Sequence, residues 1–425
     1  MTPFRIAIAG LGTVGGGVVK ALAARQGELS QRAGRDLRLV AVSARDRKKA
    51  RGFDLPGWSD DPLALAGGDA DCVVELIGGE EGIARQLVET ALANGKHVVT
   101  ANKALLARHG KALAELAEKN NVTLKFEAAA AGGIPIVKVL REDLIAHGVD
   151  AVKGILNGTC NYILTEMEAT GRGFADVLKD AQALGYAEAD PALDVGGGDT
   201  AHKLAILASL AFGTVPRLDA VSVEGITHIT ADDIAFASEF GFRIKLLGVA
   251  RRVGDRIDQR VNPAMVRARE PLANVGGAAN GVLVQAGEAG SFFFSGRGAG
   301  EAPTASAVIA DIVEAASGAA SPVFGRPAAA LTALEPADAK AAASPWYLRF
   351  EVLDVPGVLA AIAGHLSEAG VSIESMIQRV RSPGAPVAIV MITHEAARGQ
   401  VERALKGIGA SDKVRARPCM IPMEA

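Results

Sequence analysis

From residue 4 to about 135 two periodicities alternate along the chain. The runs FRIAIAG, LRLVAVSA, DCVVELIG, KHVVTAN and VTLKFEAA are short, β-branched and largely apolar, as buried strands are. Between them lie segments such as GGGVVKALAARQ and KALAELAEKN, whose apolar positions recur at helical spacing. This alternation predicts a parallel, doubly wound α/β sheet over residues 1–135. From 136 to about 305 the alternation gives way to longer apolar helices and strands, which predicts a second, α+β domain. One helix in it, within VGGGDTAHKLAILASLAFG at 195–213, is apolar almost all round but carries Lys203 near its start. Asp199, read as the N-cap, lies one turn earlier on the same face, so a cation and a carboxylate share what would otherwise be core.

The segment GRGAGEAPTASAVIADIVEAA, 296–316, pairs turn chemistry with one strong helix and is expected to bring the chain back to the first domain at about 300–320. An Ala- and Pro-rich stretch, 321–345, reads as a linker. Residues 346–425 then spell a separate unit: strand WYLRFEVLD, helix PGVLAAIAGHLSEAG with Pro356 in its first turn and Gly370 at its end, and strand VSIESMIQRV. The turn SPGAP, strand PVAIVMITH, helix ARGQVERALKGI and strand KVRARPCMIP complete a βαββαβ, ferredoxin-like order.

Composition narrows the function classes. A chain of 425 residues with 49% hydrophobic and 22% charged residues folds throughout. Its formal charge of −3, without a long basic run, argues against a nucleic-acid partner. No run approaches a membrane span, and the N-terminus enters a strand directly, so a cytoplasmic location is expected. Three separated cysteines form neither a metal cluster nor a disulfide framework.

The first strand runs into Gly10-Leu11-Gly12-Thr13-Val14-Gly15, where backbone amides and a helix N-terminus can receive a dinucleotide pyrophosphate. The second strand ends at Ser43-Ala44 without the acidic residue that reads the ribose of NAD, and Arg45 follows, which suits the 2′-phosphate of NADP. The bland reading of the RDRKK run is a solvated helix start.

Other candidates cluster in short stretches. VVTANKALLA, 98–107, presents Lys103 at the carboxyl end of the sheet, either as a reactive group or as a surface lysine opening a helix. FEAAAAGGIPIVKVL has Glu127 followed by small residues whose bare carbonyls can ligate a monovalent cation; from spacing alone it reads better as an interdomain hinge. GILNGTCNYILTEM holds Cys160, which could be the nucleophile of an acylating aldehyde dehydrogenase, although no histidine stands nearby in sequence and packing explains it as well. Asn157 and Thr159 supply polar contacts there. YAEADPALDVGGGDTAHKL gathers Tyr186, Glu188, Asp190, Asp194, Asp199 and Lys203, which suits a substrate bearing an ammonium group and an alcohol. His202 reads as a helix-face residue. A catalytically silent dinucleotide-binding sensor would need neither the paired lysines nor the acidic cluster.

Taken in order, IAIAGLGTVG, VVTANKALLA, EAAAAGGIPIV, GILNGTCNYIL and DVGGGDTAHKLAILASLAFG resemble homoserine dehydrogenase over residues 4 to 325, and DVPGVLAAIAGHLSEAGVSIESMIQ resembles an ACT domain. The resemblance implies reversible NAD(P)-dependent interconversion of L-homoserine and L-aspartate 4-semialdehyde, toward threonine, methionine and isoleucine. It implies Lys203 and Lys103 as the active-site lysines, and Glu188, Asp199 and Asp194 as substrate-binding carboxylates. Glu127, Ala130, Gly132 and Ile134 become a sodium site, reversing the preference for a hinge, and Gly300 falls near the nicotinamide. Threonine is the implied effector, at the 354–357 loop and Gly370 to Ser372, and a homodimer or homotetramer the implied assembly. The run Gly196-Gly197-Gly198 departs from the bulkier residues of typical members. A lysine must be neutral to accept the hydroxyl proton of homoserine. Burial, Lys103 and the cationic ring favour that state for Lys203, and Asp199 opposes it.

Overall fold

The computed structural model describes residues 2–49, 51–53, 55–378 and 386–424. β1 (Pro3–Ala9), α1 (Thr13–Ala33), β2 (Asp36–Ser43), β3 (Trp58–Ser59), α2 (Ala64–Gly67), β4 (Cys72–Glu75), α3 (Ile83–Ala93), β5 (His97–Thr100), α4 (Lys103–Lys119) and β6 (Leu124–Lys125) alternate. Their six strands form one sheet in the order β3-β2-β1-β4-β5-β6, parallel throughout. The strand order reverses between β1 and β4, so the carboxyl ends of those two strands flank the crevice where this architecture takes ligands.

After a short α5 (Ile136–Lys138), the second half contains β7 (Ala151–Ile155), α6 (Gly158–Thr170), α7 (Phe174–Ala183), α8 (Ala192–Val195) and α9 (Gly198–Phe212). It continues through β8 (Ser222–Val223), α10 (Ala231–Glu239), β9 (Phe242–Val253), β10 (Arg256–Arg267), β11 (Ala279–Gln285) and β12 (Ser291–Arg297). α11 (Glu301–Ser317) then returns to the first sheet, because Gly17 in α1 leaves room for it: a Cβ there would lie 2.6 Å from Glu301 and 3.2 Å from Ala305. Val308 and Ile312 of α11 are buried in the same core as Ile6 and Ile8 of β1.

α9 is buried along nearly its whole length, with Leu204, Ile206 and Leu207 fully covered. Each such side chain contributes roughly 1.5–3 kcal/mol relative to exposure. The N-cap differs from the expectation: it is Gly197 at φ +86°, and Asp199 lies inside the first turn with its carboxylate free to face other groups. The glycine run has a steric reason. A Cβ on Gly196 would come within 2.6 Å of Ala192 O, and one on Gly198 within 2.7 Å of Leu193, so small residues let α9 start directly against α8.

The last unit comprises β13 (Ala343–Ser344), β14 (Trp346–Leu353), α12 (Val358–Glu368), β15 (Ile373–Gln378), β16 (Pro386–Thr393), β17 (Ala396–Ala397), α13 (Arg398–Gly409) and β18 (Cys419–Glu424). Apart from the small β13–β17 pair, its strands and helices follow the βαββαβ order. α12 starts after Pro356, with Gly357 as N-cap at φ +89°. Of the SPGAP turn, residues 382–385 lie outside the described residues, as do 379 and 380 of the preceding strand. The unit does not stand apart. β18 pairs antiparallel with β14 and parallel with β10, so the sheet runs without a break as β12-β11-β7-β9-β10-β18-β14-β16-β15. The stretch read as a linker is an ordered strap: Val323, Phe324 and Leu331 are buried, and Thr332 and Pro336 bridge to Thr214 and Ile257. Apolar side chains at those positions outweigh the Ala/Pro composition that suggested a spacer.

Candidate functional site

The glycine loop is shaped by contact distances. Gly10 has φ +100°, and a Cβ on it would sit 2.4 Å from Leu76 O, while a Cβ on Gly15 would sit 1.9 Å from Gly10 O. The turn therefore closes tightly against β4 and α1. A Cβ on Gly12 would meet nothing within 4 Å, and no side chain caps α1, so its first amides face open space at the carboxyl end of β1. These residues fit a dinucleotide pyrophosphate. Leu11, Thr13 and Val14 complete the loop, and Val14 reaches the cleft.

That cleft, about 790 Å³, lies between the two halves of the chain. Lys103, Asn157, Thr159, Tyr186, Asp194, Asp199, Lys203 and Gly300 all line it, with Ala130 and Gly132. Each is aimed by local structure. Asn102 caps α4 by accepting from Leu105 N at 3.1 Å and donates to Gly79 O at 2.7 Å, which sets Lys103 at the helix start. Asn157 caps α6 by accepting from Cys160 N at 2.8 Å, while its Nδ2 donates to Asp194 at 2.7 Å and to Asp199 at 2.8 Å.

The two lysines converge on one carboxylate. Lys203 Nζ donates to Asp199 Oδ2 and to Leu156 O, each at 2.7 Å, and Lys103 Nζ lies 3.2 Å from Asp199 Oδ1. Burial works to raise the Asp199 pKa, but the charges of Lys203 and Lys103 hold it well below the ordinary carboxylate range. Asp194 is half-buried and is shifted upward, mainly by desolvation. His202 lies beside this group, held neutral more readily by burial and by Lys103.

Three candidates stand elsewhere. Glu188 is exposed on the loop after α7 and is not among the residues lining the cleft. Arg45 is exposed just beyond β2 and makes no ion pair among the described residues. Cys160 is fully buried, donates to Asp194 O at 3.2 Å, and burial raises its thiol pKa well above the usual value, which removes the thiolate nucleophile from consideration.

At the candidate cation loop, Glu127 is buried and accepts from Val137 N at 2.8 Å and Lys138 N at 2.9 Å. The carbonyls of Ala130 and Gly132 take no backbone hydrogen bond among the described residues, whereas Ile134 O accepts from Ile136 N at 2.8 Å. Free carbonyls beside a buried carboxylate fit the oxygen set that a hard monovalent cation prefers.

Two cleft residues, Ala278 and Ala279, carried no recognised signal. Arg297, the last residue of β12, and Gly298 line the cleft too, in the GRGAG stretch that ends at Gly300. Asn161, one residue beyond Cys160, fastens the 275–279 loop by donating to Val275 O, Gly277 O and Ala279 O, and itself accepts from buried Lys245 at 3.2 Å. A polar residue on the inner face of α6 was the available clue.

Comparison with known proteins decides the family. Residues 10–127 match the model for the homoserine dehydrogenase NAD binding domain, 135–313 that for homoserine dehydrogenase, and 346–409 that for the ACT domain. The chain is 45% identical to the homoserine dehydrogenase of Neisseria gonorrhoeae, covering 100% of this chain and 99% of that one. The chain belongs to the homoserine dehydrogenase family. A crystal structure of a homoserine dehydrogenase from Thiobacillus denitrificans superposes with a TM-score of 0.94 at 42% identity, covering 100% of this chain and 99% of that one. A hyperthermophilic archaeal homoserine dehydrogenase in complex with NADPH matches at TM-score 0.63 and 26% identity, covering 74% of this chain and 98% of that one. The protein is thus a nicotinamide-dependent oxidoreductase whose Rossmann-type sheet, catalytic half and ACT unit are each those of this family. Among the described residues no helix is long and apolar enough to cross a membrane.

Proposed function

We propose that the enzyme interconverts L-homoserine and L-aspartate 4-semialdehyde with Lys203 as principal acid/base. The observation that carries this reading is the convergence of Lys203 and Lys103 on Asp199 inside the cleft at the sheet's carboxyl ends. A bound nicotinamide supplies the hydride acceptor. Lys203, held by Leu156 O and Asp199, takes the hydroxyl proton, and Lys103 polarises the same oxygen or partners Lys203. Asp199 and Asp194, fixed by Asn157, hold the substrate ammonium, with Glu188, Tyr186 and Thr159 contributing from the loop after α7. Asp199 also stands between the two amines, in contact with both.

The finer assignments follow the same reading. NADP(H) is preferred through Arg45, with NAD(H) usable, and Na⁺ is held at Glu127, Ala130, Gly132 and Ile134, where it would steady the loop between the domains. L-Threonine inhibits through the ACT unit, the active form is a homodimer or homotetramer, and the enzyme works in the cytoplasm on the route to threonine, methionine and isoleucine.

The deciding experiment is the initial rate of nicotinamide reduction by purified protein with L-homoserine at mildly alkaline pH, NADP⁺ and NAD⁺ run in parallel. Homoserine-dependent reduction is expected. Folded protein that reduces neither cofactor would overturn the assignment.

A further inference from the structure

Glu75, the last residue of β4, is fully buried at the point where the strand order of the first sheet reverses. Its hydrogen bonds among the described residues come from neutral donors. Oε1 accepts from Ile77 N and Gly78 N, each at 2.8 Å, and Oε2 accepts from the Thr100 hydroxyl at 2.6 Å. Enclosing a carboxylate away from water is costly without such donors, so the side chain and the backbone around it fix one another.

The two oxygens serve different parts of the site. Those on Oε1 belong to the cofactor side: they curl the chain directly after β4, where Leu76 O comes so close to Gly10 that a Cβ there would lie 2.4 Å away. The bond to Oε2 belongs to the catalytic side. Thr100, also fully buried, accepts from Asn102 N at 3.0 Å, and Asn102 caps α4, whose first residue is Lys103. Asn102 Nδ2 donates in turn to Gly79 O at 2.7 Å, which closes the network on the turn that Glu75 holds. We propose that Glu75 is a positioning residue that ties the dinucleotide loop to Lys103, so that the cofactor and the reactive amine keep one spacing.

The sheet itself does not call for this carboxylate. β4 and β5 pair through their backbones with Glu75 opposite Thr100, and Val73, Val74, Val98 and Val99 supply their buried apolar faces. Replacing both partners of a buried hydrogen bond by apolar groups of like shape can be nearly neutral for stability. What the acidic side chain adds is direction for two backbone segments, since all its lone pairs accept and three hydrogens point at it. Glu75 is not among the residues lining the cleft, so it acts through Gly10 and Lys103 and not on substrate. The inference rests on the reading of Lys103 as an active-site lysine.

The experiment compares full-length wild type with Thr100→Val, Thr100→Ser and Glu75→Ala by three readings: kcat with homoserine, NADPH affinity by fluorescence, and Tm. Thr100→Val cuts only the bond toward Lys103, so kcat should fall by about tenfold or more while the Kd for NADPH stays within about twofold. Thr100→Ser keeps the hydroxyl and should recover most of the loss. Glu75→Ala cuts both branches and should lower kcat and also weaken NADPH by about tenfold. If Glu75→Ala does not fold, the Thr100 pair decides alone. Wild-type kcat in Thr100→Val, or a Glu75→Ala protein that loses Tm but keeps both constants, would make the network purely structural and overturn the proposal. Wild type that binds NADPH but does not turn over homoserine would instead overturn the reading of the reaction, and with it the branch to Lys103.

Discussion

Glu424, next to the last residue of the chain, places a carboxylate oxygen 3.1 Å from the ammonium of Lys153 in the catalytic half. Arg260 and Arg251 bind the same side chain, which is 7% exposed. Burial acts to raise its pKa, but Arg260, Lys153 and Arg251 together hold it below the ordinary value. Glu424→Gln leaves three cations without their shared anion, a class of change that costs about 3–5 kcal/mol when a buried pair is broken. A lower Tm at pH 7 is expected. Since the folded pKa is depressed, the wild-type advantage is present above the unfolded value near pH 4 and is lost as pH falls through the folded one. The gap in Tm between the two proteins should therefore be constant near neutral pH and begin to narrow as pH falls below about 4. A gap that stays constant below that pH would show that the carboxylate charge is not what matters.

Lys203 has three roles to lose at once: its bond to Leu156 O, its pairing with Asp199, and its proton. Lys203→Ala is expected to lower kcat by roughly 10²–10⁴, the usual contribution of a positioned acid/base. NADPH binding, followed by fluorescence, should stay intact because the glycine loop is not touched. A variant that keeps most of kcat would shift the acid/base role to Lys103.

Much of this site could be read in the chain before folding was considered, and the limits are physical. The Gly10–Gly15 loop, Lys103 and the Asp194–Lys203 cluster were legible because each couples a local conformational demand to a chemical group. Asn157 and Thr159 were legible as polar breaks ahead of an apolar helix. The N-cap of α9 was misread because Asp199 is a good capping residue locally, whereas the chain enters the helix through a left-handed Gly197, which puts Asp199 inside the first turn beside the lysines. The fusion of the C-terminal unit to the catalytic sheet through β10 and β18 joins residues some 160 positions apart in sequence, and no local pattern encodes it. Asn161 went unnoticed because its partners are backbone carbonyls and a buried lysine distant in sequence, which leave no local pattern.

Asp311 on α11 provides a pH test of the junction between the halves. It is fully enclosed and accepts from Glu127 N at 2.8 Å, and desolvation, with the nearby Glu127 charge, pushes its pKa up to about 8. A group raised in the folded state contributes stability that is complete below its unfolded pKa, near 4, and is lost as pH rises toward 8. Asp311→Asn keeps an oxygen for Glu127 N and cannot ionise. Relative to wild type, the variant should gain Tm between pH 5 and pH 8.5, measured by thermal shift. Parallel curves for the two proteins would show that Asp311 does not titrate in this window.

Arg45 tests the cofactor preference. It is exposed at the end of β2, two residues beyond Ser43, whose carbonyl accepts from Gly10 N at 2.9 Å and so ties this strand end to the phosphate loop. Nearby Arg47 and Arg51 are occupied over the Trp58 ring, leaving Arg45 as the guanidinium without a partner among the described residues of this turn. A contact between Arg45 and the 2′-phosphate is charge-assisted and worth about 1.5–3 kcal/mol, reduced by exposure toward the lower end. Arg45→Ala should therefore lower kcat/KM for NADP⁺ by about tenfold while leaving that for NAD⁺ within twofold or so, because NAD⁺ lacks the group that Arg45 reads. Parallel initial-rate series with the two cofactors and saturating homoserine measure both numbers. An equal fall with both would assign Arg45 to the fold of the loop, and no fall with either would leave the preference to another residue.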